Sequence, residues 1–451
     1  MDIRLQAEAR VEEMLHALEK LVRYNSVEGA GLPGMPFGEE PAKCLEEALS
    51  IAEELGFRVK NLDNYCGYAE IGEGDEIIGV AGHLDIVPAG EGWHYEPFRL
   101  TRVGDAVYGR GTTDDKGPMV EALYAALLLK ENGVPLKKRI RLIFGCNEET
   151  GSKCMAHYNE VAEPLTAGFT PDGNFPCIYG EKGHMAMVAE SKSTRILSMN
   201  GGFVSNAVCN RAVTLLPSGA VDIPLLRERL AATKLTEFTV REAEEGIEIT
   251  AVGTAAHASM PLLGVNAAGE TMRALAEAGF KDDFVEFYNE KIGTKCDGSG
   301  CGIDFKDEYG DLTFCNGIVR TEEGKIRCLI DIRVPVTVTE EALREAITPH
   351  LDSKGGKFEI IEIGKPLFYP RESALVNALY GAYREVTGDE EHLPEVIGGG
   401  TYAKSLPGII AFGPEMPGVD YRIHNADEFT TTEDMVRNTV IYYKALEKLL
   451  Q

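Results

Sequence analysis

The sequence predicts an α/β protein, a mainly parallel sheet flanked by helices, with a second α+β domain inserted into the chain. Three observations predict it. The run Ile77–Gly82 is apolar, β-branched and without polar alternation, the pattern of a parallel strand buried on both faces. Strands of this length alternate with amphipathic or apolar helical stretches, the signature of βαβ units. After Gly180-Glu181-Lys182-Gly183 the texture changes: Phe238–Arg241, Ile247–Val252 and Cys328–Val334 alternate polar and apolar residues, as antiparallel strands with one solvated face do. The first texture returns at Lys365–Pro370. The expected division is therefore 1–183 with 367–451 as one discontinuous domain and 184–366 as the insert.

In order, residues 4–24 place Val11, Met14, Leu15, Leu18 and Val22 on one helical face, and Glu39–Leu55 forms a second helix. A strand starts at Phe57–Lys60, and the next ends at His83. A loop holding Trp93, the only tryptophan, follows; Tyr108–Gly117 then leads into a helix over Met119–Lys130. Arg139–Cys146 is a strand ending in Asn147-Glu148-Glu149-Thr150-Gly151-Ser152. Ser152 opens a helix, and Ala167–Thr170 is a strand ending in Pro171-Asp172. The insert carries helices over Leu225–Ala232 and Glu341–Leu351. Beyond it come a helix (Ala374–Thr387), a glycine-rich loop, a strand (Gly408–Phe412) and a final helix (Thr432–Leu449).

At 451 residues the chain is too long for one ordinary core. Its hydrophobic share of 44% and charged share of 26% are those of a globular protein in water. The longest apolar run, Ala122–Leu129, is far too short to span a bilayer. Residues 1–24 mix acids and bases in a helical pattern, unlike a secretory signal. A net charge of −27 argues against nucleic acid or an anionic membrane as partner. The ten cysteines are scattered through apolar contexts, so buried free thiols and a cytoplasmic location are expected.

Chemistry gathers where these strands end. In open α/β sheets the reactive groups sit at the carboxyl ends of the strands. His83 ends one, with Asp85 two residues on, a pairing that suits a metal ligand and the carboxylate that orients it. With Asp114, Glu149, Asp172 and His424, His83 makes a set of two imidazoles and three carboxylates. Such a set suits two zinc or manganese ions sharing one carboxylate. Adjacent Glu148 and Glu149 can divide the work, one binding metal and the other taking a water's proton.

The motifs Gly82-His83-Leu84-Asp85, Gly109-Arg110-Gly111, Asp114-Asp115-Lys116-Gly117 and Asn147-Glu148-Glu149-Thr150-Gly151-Ser152 form one ordered series. Pro171-Asp172, Gly180-Glu181-Lys182-Gly183, Gly398-Gly399-Gly400-Thr401 and His424 continue it. In this combination the chain resembles the M20 peptidases, and within them the PepV-type dipeptidases, over essentially its whole length. The resemblance implies a catalytic metal-binding domain (1–183 and 367–451) and a lid (184–366). It implies that His83 and Asp172 hold one metal ion, Glu149 and His424 the other, and that Asp114 bridges them. It further implies that Asp85 orients His83, that Glu148 is the general base and that His257 stabilises the oxyanion. Arg333 would grip the substrate carboxylate, helped by Asn206 and by the backbone of Gly399, Gly400 and Thr401. The expected enzyme is a dipeptidase with two zinc ions per chain, manganese being the other candidate, and a monomer, with a homodimer as the alternative. Two alternatives stand beside it: an N-acyl-amino-acid deacylase or desuccinylase of the same family, and an inactive metal-binding interaction protein.

Overall fold

The computed structural model describes residues 2–451. Its chain divides into two units, Met1–Gly180 with Phe368–Gln451, and Glu181–Leu367.

In the first unit, strands Arg139–Gly145, Ile77–His83, Ala167–Thr170 and Ile409–Ala411 lie side by side and parallel. Parallel alignment brings their carboxyl ends to one edge, so His83, the turn after Gly145 and the Pro171-Asp172 turn emerge together. The sheet is parallel in this centre. Arg58–Leu62 and Cys66–Ile71 extend it antiparallel on one side, and Ile178–Glu181 on the other. The hairpin explains the difference: Leu62 and Cys66 are joined by a turn too short for a parallel crossover. All seven residues of Ile77–His83 are buried, which is why that run shows no polar alternation.

The helix Lys116–Glu131 is buried from Lys116 to Leu129, packed between this sheet and the helices Val11–Val22 and Thr432–Leu449. It begins one turn earlier than the apolar pattern suggests, because buried Lys116 is tolerated there. Its ammonium donates to the carbonyls of Leu21 (3.1 Å) and Tyr24 (3.0 Å). The expected first helix is two, Ile3–Ala9 and Val11–Val22, meeting at Arg10. All ten cysteines are free thiols, nine of them buried. No helix among the described residues is long and apolar enough to cross a membrane.

The second unit is built on an eight-stranded sheet whose neighbouring strands all pair antiparallel. Strand Lys325–Val334 alternates buried and less buried residues along most of its length, burying one face. That face shares a core with helices Ala267–Glu277 and Asp283–Lys291, through residues such as Met187, Ile249, Leu275, Phe284 and Ile332.

One acid lies inside the first unit's helical layer. Burial pushes the Glu121 carboxyl up to about 8, against the pull of Asn438 and Arg437. Its Oε2 has no hydrogen-bond partner among the described residues. A carboxyl that binds its proton more tightly when folded adds stability at low pH and loses it as pH rises through the folded value. Native stability should therefore decline between about pH 4.5 and about 8 on this group's account and level off above that. Glu121→Gln, uncharged at every pH, should flatten that decline in thermal unfolding curves. Parallel curves for the two proteins would contradict it.

Candidate active site

His83 Nδ1 lies 2.9 Å from the backbone carbonyl of Asp85. A carbonyl can only accept, so Nδ1 carries the proton in the neutral ring and the Nε2 lone pair is left for a ligand. Nε2 faces Asp114 Oδ1 at 2.9 Å and Asp172 Oδ2 at 3.9 Å. The sequence suggests that the Asp85 carboxylate orients this ring. In the structure its nearest oxygen is 3.7 Å from Nδ1, and it has another task. Its two oxygens accept the backbone N–H groups of Glu148 (3.0 Å) and Glu149 (3.1 Å). Asp85 thus fixes His83 through its main chain and the Glu148-Glu149 turn through its side chain.

Asp114 sits in a loop built around a buried acid that sequence reasoning missed. Glu428 Oε1 accepts N–H groups from Gly111 (3.0 Å), Thr113 (3.0 Å) and Asp114 (3.2 Å), and its Oε2 pairs with Arg110 at 2.7 Å. Neither side chain of that pair is more than 1% exposed. Asp115 Oδ2 accepts the His83 N–H at 3.0 Å, tying the loop to the strand end. Gly82 is required there: a Cβ at that position would overlap the Asp115 carboxylate and the Met119 side chain.

Placed this way, Asp114 presents its second oxygen to His424, with Oδ2 2.9 Å from Nε2, and Glu149 Oε1 lies 3.2 Å from the same nitrogen. His424 adopts a left-handed backbone conformation, φ 63°, of the sort held only where surrounding structure determines it. Donor atoms of His83, Asp114 and Glu149 lie within 4.8 Å of one another, as do those of His83, Glu148 and Asp172. All five expected ligands therefore come together, and Glu148 stands on the His83–Asp172 side.

The electrostatics fit a pair of cations. Carboxylates of Asp85, Asp114, Asp115, Glu148, Glu149 and Asp172 crowd around two imidazoles. Burial opposes charge on His83, yet Asp114 raises it well above the ordinary imidazole value. His424 is raised to about 11, against burial, by Asp114 and Glu149. Burial, and next the charge of Asp172, push Glu148 well above the usual carboxylate range. The facing donor atoms are spaced as the edges of coordination polyhedra with bonds of about 2.0–2.2 Å require.

The glycine loop adjoins this cluster. Thr401 Oγ1 accepts from the Ala403 N–H at 3.1 Å, capping the turn Tyr402–Lys404. The Tyr402 ring meets His83 edge-on, centroids 6.1 Å apart. None of Gly398, Gly399 and Gly400 is left-handed.

The residues implied in the second unit lie on its own sheet and loops. Asn206 and His257 are on adjacent loops, joined by an Ala207–His257 bridge and by the Ala258 N–H to the Asn206 carbonyl at 2.8 Å. His257 Nδ1 contacts Ser259 Oγ at 2.7 Å. Arg333 is gripped by Asp331, two residues before it, at 2.6 and 2.9 Å.

The chain matches the model of peptidase family M20/M25/M40 over residues 79–448. It is 35% identical over 460 residues to "Putative dipeptidase YtjP" of Bacillus subtilis (strain 168), covering 97% of each chain. It is 31% identical over 458 residues to "Putative dipeptidase" of Staphylococcus epidermidis (strain ATCC 12228 / FDA PCI 1200), again covering 97% of each. Among solved structures, human carnosine dipeptidase 1 superposes with a TM-score of 0.58 at 17% identity, covering 100% of this chain and 98% of that one. An M20 family metallo-carboxypeptidase from Sulfolobus solfataricus gives 0.54 at 16% identity, covering 97% and 99%. At these identities the superpositions speak for the fold.

Glu428 acts through main-chain N–H groups, fixing the loop that carries Asp114. Groups in that position typically govern metal affinity by about 10–100-fold. Glu428→Gln should lower affinity by that factor in competition with a chromogenic chelator. Unchanged affinity in a folded variant would show that the loop holds itself.

Proposed function

The chain belongs to peptidase family M20/M25/M40, and from that premise we propose a dipeptidase that works with two metal ions and uses Glu148 as general base. That it is a hydrolase of the metallopeptidase type follows from the family and its relatives; the finer assignments are our reading. The observation that carries them is Asp114, whose two oxygens face two different imidazoles at 2.9 Å each. A carboxylate bridging two cations has that arrangement. We assign one ion to His83, Asp172 and Asp114, and the other to His424, Glu149 and Asp114. Zinc, or else manganese, bound there would polarise the scissile carbonyl and acidify the attacking water.

The chain's own groups do the rest. Glu148 takes the water's proton and returns it to the leaving amine. Its side chain lies close to His83 and Asp172, beside the ion assigned to them, and on the family likeness we give it the proton rather than an ion. Asp85 holds the Glu148 and Glu149 main chains, so base and ligand keep fixed places. On the family likeness we assign His257 to the developing oxyanion, and Arg333 with Asn206 to the substrate carboxylate. The backbone of Gly399, Gly400 and Thr401 is assigned to the same carboxylate. We read the enzyme as monomeric and cytoplasmic from its sequence.

Chelation should abolish hydrolysis, and zinc or manganese should restore it at two ions per chain. A fully active preparation with one ion would contradict the bridge. Glu148→Gln should lower kcat by about 10²–10⁴-fold while both ions stay bound. Loss of metal from Glu148→Gln, with metal kept in Glu149→Gln, would reverse the two roles. A panel of dipeptides against matched N-acyl amino acids separates this reading from a deacylase.

A further inference from the structure

Resting on the dipeptidase reading, we infer that Glu415 is the counter-charge for the substrate's free α-ammonium group, making it the residue that selects dipeptides over N-acyl amino acids.

The chemistry narrows the search to the metal cluster's immediate surroundings. In a dipeptide the ammonium nitrogen is separated from the scissile carbonyl carbon by one Cα, a distance of about 2.5 Å. A carboxylate that recognises it must therefore stand beside the groups that hold the carbonyl. Most carboxylates there are already engaged. Asp114, Glu149 and Asp172 are assigned to the ions and Glu148 to the proton. Asp85 and Glu428 accept backbone N–H groups with both or one of their oxygens, and Glu428 pairs with Arg110 besides. Asp115 accepts the His83 N–H, and Asp420 accepts the Arg422 N–H at 2.9 Å.

Glu415 is different. Its backbone is laced to the loop that follows Asp172: Glu415 N–H donates to the Gly173 carbonyl at 3.0 Å, and Phe175 N–H to the Glu415 carbonyl at 2.8 Å. Its half-buried carboxylate has neither a hydrogen-bond donor nor a cationic partner among the described residues. It borders a cavity of about 290 Å³ whose walls include Asn174, Phe175, His392 and Met416. Asn174 does not quench it, because its amide donates to Glu395 at 2.8 Å. Burial, then the charges of Asp114 and Asp420, push Glu415 up to about 7, with only His424 pulling the other way. An ammonium ion arriving here gains from the same field, whereas an acyl group brings nothing to offset it.

The test compares alanyl-alanine with propionyl-alanine, which differs by loss of the ammonium alone, on wild type and Glu415→Gln. Wild type should prefer alanyl-alanine. Glu415→Gln should lose about 10²-fold in kcat/KM on alanyl-alanine, mainly through KM, and almost nothing on propionyl-alanine. Glu415→Asp should recover part of the loss. Two bound ions and an unchanged Tm in the variant show that the site is intact. Equal losses on both substrates, or a preference that survives Glu415→Gln, would overturn the inference and leave the dipeptidase reading standing. A wild type that prefers propionyl-alanine would overturn the dipeptidase reading itself.

Discussion

The arrangement depends on one carboxylate divided between two imidazoles. Asp114 turns Oδ1 to His83 and Oδ2 to His424 from a backbone that Glu428 holds from behind. Glu428 is in turn neutralised by Arg110. A buried ion pair costs desolvation and adds little net stability. Here it acts as a peg: three N–H groups converge on one oxygen, and the loop has one conformation in which all are satisfied.

The same logic runs through the rest of the centre. Asp85 spends both oxygens on the Glu148 and Glu149 N–H groups, and Asp115 spends one on His83. Carboxylates bound to main chain position carboxylates that stay available for chemistry. So many negative charges in a buried place are held apart from their ordinary pKa values by burial and by one another.

Much of this was legible in the sequence because parallel strands deliver their last residues to one edge. His83, Glu149 and Asp172 each follow a strand whose apolar run can be read directly, so their convergence follows from topology. His424 belongs to no strand end. It sits at positive φ in a loop, where no periodicity announces a position, and only the motif series points to it. Glu428 and Glu415 were not legible at all. An acid near the carboxyl terminus reads as surface, and its burial against residues 318 and 241 positions away, Arg110 for Glu428 and Asn174 for Glu415, exists only in three dimensions. The antiparallel flanks of the sheet were less legible: Cys66–Ile71 and Ile178–Glu181 are buried nearly throughout, and such a run looks alike in either direction. The alternating strands of the second unit, by contrast, show their one-sided burial in sequence.

Anomalous diffraction from crystals of the zinc-loaded protein tests the central claim most directly. Two peaks about 3.5–4 Å apart, one beside His83 and Asp172, the other beside His424 and Glu149, with Asp114 between them, are expected. A single peak, or two peaks that share no Asp114 contact, would contradict the bridged pair on which the mechanism rests.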